Sequence, residues 1–375
     1  MTASPVRRCV WTFVSNMYPS ADDVSYGAFV QRSREDLISQ GFNIEAEILI
    51  RGRSSGLARL RAYAKHYSAL ALLLLQPRLR HLYIHYASHH CLLPALGARF
   101  LGLQVLVNIH GDDLALARVS LYRRVMKTGQ SLLLRSARMI VVPSPYFRDL
   151  LMQTLPDINP NRVVVSPSSG IDFQSLSAAT RNRASYWQQD QSSRIANFGY
   201  IGRIDADKGW EVLFDAFIQL PDSLRRRAQL HFWGDGKEAS RLRERIAMEA
   251  AGQVTHHGAV PAAELPAAHT RFDFHVVPSS RESLGLAAIE GLGAGHVLIC
   301  SRIRPFTDIT VDGVSALHFD PTSACDLGAV LARALEASDE TLAALAANGQ
   351  ALARAFDRAI VAADLAEHID LCFPV

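Results

Sequence analysis

FDFHVVPSSRESLGLAAIEGLGAGHVLIC, residues 272–300, contains two apolar runs with a helical pattern between them. The runs at 272–277 and 296–300 are short and rich in Val, Ile and Phe, as buried strands are. Residues 284–294 have the Leu, Ala and Ile content of a helix. The stretch therefore predicts a strand, a helix and a second strand in succession.

The same alternation of strand and helix continues along the chain. Strand patterns occur at 8–15, 42–50, 81–87, 104–110, 138–142, 162–166, 194–202, 228–234 and 253–258. In the second half, further helical patterns occur at 208–219, 237–250, 325–337 and 339–354. This alternation predicts parallel sheets with crossover helices.

A polar stretch, SLSAATRNRASYWQQDQSSR (175–194), has no strand pattern and divides the two series. The chain of 375 residues is long enough for two domains. We therefore predict an α/β protein with one unit at 1–180 and a second from residue 181. Two α/β units in tandem make a cleft between them the expected ligand site, with ligands at the carboxyl ends of the strands.

The five cysteines are scattered without metal-ligand spacing, which is typical of reduced thiols in a cytosolic protein. The N-terminus has no apolar stretch of signal-peptide length. The longest apolar run, ALALLLL (69–75), is far shorter than the roughly 20 residues of a membrane-spanning helix. The sequence therefore predicts a cytoplasmic protein with no spanning segment.

The net charge of +3 conceals an asymmetry between the halves. Residues 1–180 contain 20 Lys and Arg against 11 Asp and Glu, whereas residues 181–375 contain 19 against 25. Residues 51–81 and 118–138 carry positive charge and no acid. Within the first, arginines and apolar residues alternate at 57–75, a pattern that favours either an anionic membrane surface or a core helix with a solvated basic face.

GYIGRIDADKGWEVL, residues 199–213, predicts a strand followed by a helix that begins near Asp207, a residue type suited to the N-cap. Arg203 and Lys208 then flank a helix N-terminus, which disfavours cations unless an anion is bound. A diphosphate at this place would gain backbone N–H groups and both side chains. The alternative is that Arg203 and Lys208 are solvated cations that Asp205 and Asp207 neutralise.

Two glutamates frame the start of the predicted helix at 284–294. Glu282 precedes the helix, and Glu290 lies about two turns into it. Ser283 to Gly285 offer N–H groups at the helix start. A buried carboxylate needs hydrogen-bond donors, which the vicinal diol of a ribose supplies. The alternative is a solvent-facing Glu290 with Glu282 as a loop charge.

Two further candidates lie in the first half. His110 follows a predicted strand in NIHGDDL (108–114), where a ligand is expected, although a plain loop histidine is the alternative. Asp112 and Asp113 suit a helix cap better than a metal site, because no third oxygen ligand is evident. Gly27, at the entry to a predicted helix, permits close approach of a ligand or is an ordinary loop glycine.

Read together, these stretches resemble the GT-B glycosyltransferases of family 4. The resemblance covers nearly the whole chain. It is carried by GYIGRIDADKG, by HFWGDGKEASRLRERI, and above all by the segment HHGAVPAAELPAAHTRFDFHVVPSSRESLGLAAIEGLGAGHVLIC. The last is similar to the family's strand, Pro-Ser and two glutamates separated by seven residues.

The resemblance implies a GT-B fold: two Rossmann-like domains, with parallel sheets, that face an interdomain cleft. The second domain, 181–355, would hold the nucleotide sugar, and a helix within 356–375 would pack back toward the first.

By matching position, the resemblance implies roles for single residues. The donor diphosphate would be bound by Arg203 and Lys208, the donor sugar by Glu282 and the ribose diol by Glu290. The remaining implied contacts are the amides of Ser283, Leu284 and Gly285 to sugar and phosphates, Val260 to the base, His110 beside the transferred sugar, and Gly27 near the diphosphate and acceptor.

The predicted function is glycosyl transfer, with retention, from a nucleoside-diphosphate sugar to a saccharide or lipid-linked saccharide, in bacterial surface polysaccharide synthesis. The resemblance implies no metal and no further cofactor. The alternatives are a non-catalytic nucleotide-sugar binder of the same fold and transfer to a soluble small molecule. A nicotinamide dehydrogenase is disfavoured because GxGxxG is absent after the first strand. Nucleic acid is disfavoured as a partner by the acidic second half.

The basic segments 51–81 and 118–138 suggest peripheral attachment to the inner face of the cytoplasmic membrane.

Overall fold

The computed structural model describes residues 9–23, 26–76, 78–87, 90–111, 121–179 and 195–374, without the side chains of 121–126. The chain divides into two compact units. Unit 1 comprises Met1–Ser169 and Ala359–Val375, and unit 2 comprises Gly170–Arg358.

The sequence placed the boundary between the units after residue 180. In the structure the division falls earlier, between Ser169 and Gly170. The segment that enters unit 2 is bonded to the segment that leaves it. The N–H of Ile171 donates to the carbonyl of Phe356 at 2.8 Å, and the N–H of Arg358 donates to the carbonyl of Ile171 at 2.9 Å. These backbone bonds assign residues 170–179 to unit 2.

Unit 1 contains a six-stranded parallel sheet in the order β2-β1-β3-β4-β5-β6. The strands are β1 (Val10–Tyr18), β2 (Asn43–Arg51), β3 (His81–His85), β4 (Gln104–Asn108), β5 (Met139–Val142) and β6 (Val163–Val165). The helices between them are α1 (Ala28–Ser39), α2 (Gly56–Leu73), α3 (Leu92–Phe100), α4 (Leu121–Ser136) and α5 (Pro145–Thr154).

Unit 2 contains a second six-stranded parallel sheet, in the order β12-β11-β10-β7-β8-β9. Its strands are β7 (Ala196–Ile201), β8 (Ala228–Trp233), β9 (Val254–His256), β10 (Phe274–Val277), β11 (Val297–Ser301) and β12 (Leu317–Phe319). Its helices are α6 (Phe173–Ala179), α7 (Trp210–Ile218), α8 (Asp222–Arg225), α9 (Ala239–Glu249), α10 (Leu265–His269), α11 (Leu286–Gly293), α12 (Phe306–Ile309), α13 (Ala324–Glu336) and α14 (Asp339–Ala353).

The strand order of unit 2 is that of the Rossmann fold, because the chain adds two strands, β8 and β9, to one side of β7 and then three, β10, β11 and β12, to the other. The prediction of two α/β units with parallel sheets is confirmed. The strand β12 and the short helices α8, α10 and α12 were not predicted. They are three to five residues long, which is too short for a periodic pattern.

Each sheet buries apolar residues on both of its faces. In unit 2 one face packs against α7, α13 and α14 around the fully buried Trp210 and Phe214. In unit 1 the last helix, α15 (Arg358–Cys372), covers the face formed by β1 and its neighbours. Phe373 lies edge-on to Trp11 with the ring centroids 5.1 Å apart. The C-terminal helix is therefore part of the core of unit 1.

Among the helices of the described residues, none combines the length and the apolar character that crossing a bilayer requires.

The contribution of α15 to unit 1 is testable with two aliphatic residues of the same helix. Ile369→Ala should lower the free energy of unfolding by about 2–4 kcal/mol, because Ile369 is 2% exposed and its truncation leaves a cavity. Leu371→Ala, at a position 76% exposed, should change it by less than about 0.5 kcal/mol. Urea unfolding measures both, and equal losses would contradict the packing of this helix.

Candidate active site

The candidate site in unit 2 lies where the strand order reverses. Strands β7 and β10 are neighbours in the sheet, although the chain passes through β8 and β9 between them. The connections after two such strands leave toward opposite sides, which opens a crevice at their carboxyl ends. Residues 202–209 follow β7, and residues 278–285 follow β10. Most of the predicted site residues belong to these two segments.

The two segments are in direct contact through a glycine. Gly209 has φ +70, and a Cβ atom built on it would lie 1.9 Å from the carbonyl oxygen of Pro278. Next to this contact, the N–H and the hydroxyl of Ser280 donate to the carbonyl of Asp207 at 3.0 and 3.1 Å. A side chain at position 209 would force the segments apart.

This contact changes the predicted start of the helix. Residues Ala206–Lys208 form a 3-10 turn, and α7 begins at Trp210 with Gly209 as its N-cap. The expectation of an N-cap at Asp207 was wrong, because the left-handed conformation of Gly209 interrupts the helix there. Lys208 nevertheless lies directly before the helix N-terminus, as the sequence predicted.

Lys208 and Glu282 form an ion pair between the two segments. The Lys208 ammonium lies 2.6 Å from Oε1 of Glu282, and the two side chains are only 20% and 16% exposed. The buried hydroxyl of Ser279 donates to the same oxygen at 2.8 Å. The structure thus brings together two of the predicted residues, 74 positions apart in sequence.

Arg203 lies beside this pair but is more exposed. Its guanidinium contacts the carboxylate of Asp205 and lies 3.8 Å from that of Asp207, and the Arg203 side chain is 62% exposed. Asp205 is itself fixed, since it accepts the backbone N–H of Lys237 at 2.9 Å. The Tyr200 hydroxyl donates to the Arg203 carbonyl at 2.6 Å. The pairing with Asp205 and Asp207 matches the alternative in which these acids neutralise the cation.

Helix α11 presents the second group of predicted residues. Gly285 caps the helix with φ +81, and a Cβ atom there would lie 2.2 Å from the Phe306 ring. Leu284 is 3% exposed and packs into the core, so only its backbone faces the segment. Ser283 is partly exposed. The first N–H groups of α11 therefore follow Glu282 at the mouth of the crevice.

Glu290 lies in the second turn of α11 on the helix face that it shares with Leu286 and Ala287. All three are half-buried, whereas Ala288 and Ile289 are in the core. The helix is therefore apolar on most sides, with the carboxylate on the side that is not fully covered.

Val260, the predicted base contact, follows β9 and packs against a small cluster that includes Trp233 and Phe272. Sequence analysis did not single out this cluster. The Trp233 ring stacks on His257 with the centroids 4.4 Å apart, and His257 contacts His231 at 3.2 Å. The aromatic and histidine residues in HFWG (231–234) and THHG (255–258) are the sequence feature that could have indicated this cluster.

In unit 1, the structure brings Gly27 and His110 into one neighbourhood. Gly27 has φ +75 and caps α1, and a Cβ atom there would lie 2.7 Å from the backbone of Met17. The ring of Phe29, in the first turn of α1, lies 4.5 Å from the ring of His110, which follows β4. Asp112 and Asp113 lie outside the described residues, as do residues 118–120 of the second basic segment.

His110 is partnered by a second histidine. Nδ1 of His85 lies 2.9 Å from Nε2 of His110. Burial lowers the pKa of His110 to about 3 and holds the pKa of His85 well below its usual value, so both rings are neutral. Nε2 of His85 has no hydrogen-bond partner among the described residues, so its proton is better placed on Nδ1. His110 then accepts at Nε2 and carries its own proton on Nδ1.

Comparison with known proteins identifies the family of the chain. Residues 31–168 match the family model described as glycosyl transferase 4-like domain, and residues 188–352 match glycosyl transferases group 1. The two matches together span most of the chain. It belongs to the GT-B glycosyltransferases of the family 4 type.

Individual relatives of this glycosyltransferase are distant. The 2-deoxystreptamine glucosyltransferase of Streptomyces kanamyceticus is 28% identical over 159 residues, which cover 42% of this chain and 41% of the relative. The Anabaena HepE structure in complex with UDP and glucose has a TM-score of 0.70 at 16% identity, with 97% of this chain and 100% of HepE covered. WaaG, a glycosyltransferase involved in lipopolysaccharide biosynthesis, has a TM-score of 0.71 at 15% identity, with 97% and 100% covered.

The described residues of the glycosyltransferase contain no group of three His, Cys, Asp or Glu side chains placed to hold a metal ion.

The histidine pair predicts an acid-labile unit 1. Unfolded histidine gains a proton below about pH 6.5, whereas these two stay neutral when folded, so stability is lost as the pH falls. Each should cost about 2 kcal/mol between pH 6.5 and 5. His85→Phe should therefore make the free energy of unfolding less dependent on pH in urea titrations at both values.

Tyr83→Phe is the matched control, since it removes the hydroxyl that Asn108 contacts at 3.0 Å without changing a group that titrates in this range. It should lower stability equally at pH 6.5 and 5. A slope in His85→Phe as steep as in the unaltered protein would contradict the neutral state of this pair.

Proposed function

We propose that this glycosyltransferase moves a sugar, with retention of configuration, from a nucleoside-diphosphate sugar to a saccharide or lipid-linked saccharide in bacterial surface polysaccharide synthesis. The observation that carries the proposal is the meeting of Arg203, Lys208 and Glu282 at the switch point of unit 2. UDP and glucose in HepE, and the lipopolysaccharide role of WaaG, support it.

The donor diphosphate is assigned to the segment after β7. Lys208 directly precedes the N-terminus of α7, and Arg203 is exposed enough to exchange Asp205 for a phosphate. Negative charge develops on the leaving diphosphate as the glycosidic bond breaks. Fixed cations and a helix N-terminus stabilise this charge more in the transition state than in the ground state, which accelerates transfer.

The sugar and nucleoside are assigned to the segment after β10 and to α11. Glu282, already oriented by Lys208 and Ser279, accepts hydroxyls of the donor sugar. The amides of Ser283, Leu284 and Gly285 face the sugar and phosphates. Glu290 receives the two ribose hydroxyls, and Val260 lies against the base.

On unit 1, His110 is assigned the place beside the transferred sugar. As a neutral ring that carries its proton on Nδ1, it donates a hydrogen bond and does not act as an acid. Gly27, at the start of α1, allows the diphosphate and acceptor to approach the backbone.

Retention follows in this proposal from transfer on the face that the leaving group vacates, with the leaving phosphate removing the acceptor proton. No enzymic nucleophile is assigned. Arg203 and Lys208 supply the positive charge that the diphosphate needs, so neither a metal nor a further cofactor is assigned.

Two alternatives share the same fold. A non-catalytic binder would retain the nucleotide site but transfer nothing, and an enzyme with a soluble small-molecule acceptor would ignore lipid-linked saccharides. The 2-deoxystreptamine glucosyltransferase among the relatives gives the second alternative some weight. Nucleotide binding without turnover of any acceptor, or of water, would favour the first.

Helix α2 supports a peripheral membrane role. Leu57 and Leu60 are 73% and 67% exposed, and Arg59 and Arg61 lie between and beside them. From Ile48 to Gly111 the sequence contains no acid. An apolar face flanked by cations is complementary to an anionic lipid surface. We assign this face to the cytoplasmic side of the membrane.

The diphosphate assignment is testable at Lys208. Lys208→Ala should lower kcat/KM about 10²–10³-fold with a UDP- or GDP-sugar, since one preorganised positive group is lost. Sugar release to water or to an acceptor is the measurement. Arg226→Ala, which removes an exposed cation before β8 at the opposite edge of the sheet, is the control and should retain full activity.

A second measurement separates binding from folding. UDP or GDP at a hundred times its Kd should stabilise the unaltered protein by about 2.7 kcal/mol, and Glu290→Gln should weaken this stabilisation. NAD should have no such effect. Full activity in Lys208→Ala, or equal nucleotide stabilisation in Glu290→Gln, would remove these assignments.

The membrane assignment is tested by sedimentation with phosphatidylglycerol vesicles at low salt. The unaltered protein should bind, and the double variant Leu57→Ser, Leu60→Ser should bind at least about tenfold more weakly, because two leucines no longer enter the lipid. Leu371→Ser, at an equally exposed position, should bind normally. Equal binding of both variants, or none by the unaltered protein, would reject this face as a membrane contact.

A further inference from the structure

Unit 1 contains two adjoining depressions that share Arg51. One, of about 340 Å³, lies between β2 and α2, and the other, of about 460 Å³, lies at the end of β1. The polar residues of the first are Glu47, Arg51, Ser54, Lys65 and His66, and those of the second are Tyr18, Ser20, Gln31 and Arg51.

The shared arginine lies at the carboxyl edge of the sheet. Tyr18 and Arg51 are the last residues of β1 and β2, and they are paired in register. The guanidinium of Arg51 lies 4.7 Å from the centre of the Tyr18 ring, and its side chain is 54% exposed. Ligands of α/β sheets bind outside this edge, so Arg51 lies on the side of the sheet where a ligand is expected.

The lining of the first depression contains more cations than acids. Glu47 is the acid of the first depression, and its carboxylate is shared between Arg34, in close contact, and Arg51 at 3.5 Å. Lys65 adds a second cation to the same depression. The depression thus has two cations, Arg51 and Lys65, and one carboxylate, that of Glu47, which Arg34 also contacts. This excess of positive charge favours the binding of an anion.

His66 indicates hydroxyl groups as well. It is 3% exposed and lines the first depression, and neither ring nitrogen has a hydrogen-bond partner among the described residues. Burial lowers its pKa to about 4, so the ring is neutral and has one donor and one acceptor. An unsatisfied buried pair of this kind destabilises the protein unless a ligand completes it. A sugar hydroxyl, which both donates and accepts, is suitable.

We propose that the two depressions bind the acceptor, and that the acceptor is a saccharide bearing a phosphate or another anionic group. Arg51 and Lys65 bind the anion, and His66 binds a hydroxyl beside it. This inference rests on the proposed glycosyl transfer and specifies its second substrate.

The sheet order also indicates the length that the acceptor must span. Strand β2 is separated from β4, which His110 follows, by β1 and β3. Three strand spacings of about 4.8 Å amount to about 14 Å. An acceptor that meets Arg51 with its anion and has its reacting hydroxyl near His110 extends beyond one sugar ring. The anion and the reacting hydroxyl therefore belong to different residues of the acceptor.

The test is calorimetric binding without any donor, with glucose 6-phosphate, myo-inositol 1-phosphate and trehalose 6-phosphate, each beside its neutral parent. At least one phosphate should bind about tenfold more tightly than its parent. Arg51→Ala should abolish this preference. Arg78→Ala, which removes an exposed cation of the same acid-free segment, should retain it. No preference for any phosphate, or equal loss in both variants, would overturn the proposal.

His66→Phe provides a second readout. Because it removes two unsatisfied nitrogens, it should raise the melting temperature of the ligand-free protein. It should also weaken the binding of both the phosphorylated and the neutral sugars. A merely structural His66 would lower the melting temperature and leave affinity unchanged in the folded protein. If the variant does not fold, Arg51→Ala alone decides the proposal.

Two further arms identify the source of the anion and keep the proposals separate. Arg51→Ala should leave binding to phosphatidylglycerol vesicles unchanged, and the Leu57→Ser, Leu60→Ser variant should leave sugar-phosphate binding unchanged. The reverse pattern would assign Arg51 to lipid headgroups and overturn acceptor binding. Nucleotide stabilisation tests unit 2 independently, so a failed donor assignment and a failed acceptor site give different results.

Discussion

The close approach of Gly209 to Pro278 is the constraint on which the candidate site depends. Because no side chain fits between position 209 and the Pro278 carbonyl, the segments after β7 and β10 lie against one another at the point where the strand order reverses. Beside that contact, Lys208 lies within hydrogen-bond distance of Glu282. A larger residue at position 209 would therefore disturb the candidate site more than the hydrophobic core of unit 2.

Arg203 and Lys208 each contact an acidic side chain of unit 2. Arg203 is paired with Asp205, and Lys208 with Glu282. In the proposed function, a diphosphate would therefore not enter a site of unpaired positive charge, since these two cations would have to exchange or share their partners. The exchange is easier for the exposed Arg203 than for Lys208, because separating the largely buried Lys208–Glu282 pair would leave two poorly solvated charges without a partner. In the proposal, Lys208 would contact the diphosphate while it retains Glu282, and Arg203 would exchange its partner.

Local pattern predicted the architecture but not the contacts across the sheet. The apolar runs and helical periods were sufficient for the parallel strands, and the residue pattern indicated Lys208 and Glu282, to which the family resemblance added expected roles. The start of α7 was misplaced because Gly209, in a left-handed conformation against the Pro278 carbonyl, interrupts the helix, and this contact joins segments that are far apart in sequence. The stack of Trp233 on His257 and the unsatisfied nitrogens of His66 likewise depend on packing between elements, which no local period encodes.

Helix α2 has two functional surfaces in this proposal, and the helical period places them on different faces. Ala62, Lys65, His66 and Ala69 recur at the spacing of one helix face and line the depression beside β2. Leu57 and Leu60 belong to the exposed surface of the same helix. A lipid-linked acceptor carries its phosphate next to the membrane, so a helix with lipid on one face and a phosphate-binding depression on the other meets both parts of that substrate. The acid-free stretch from Ile48 to Gly111 serves both faces, since either would repel its ligand if acids were interspersed.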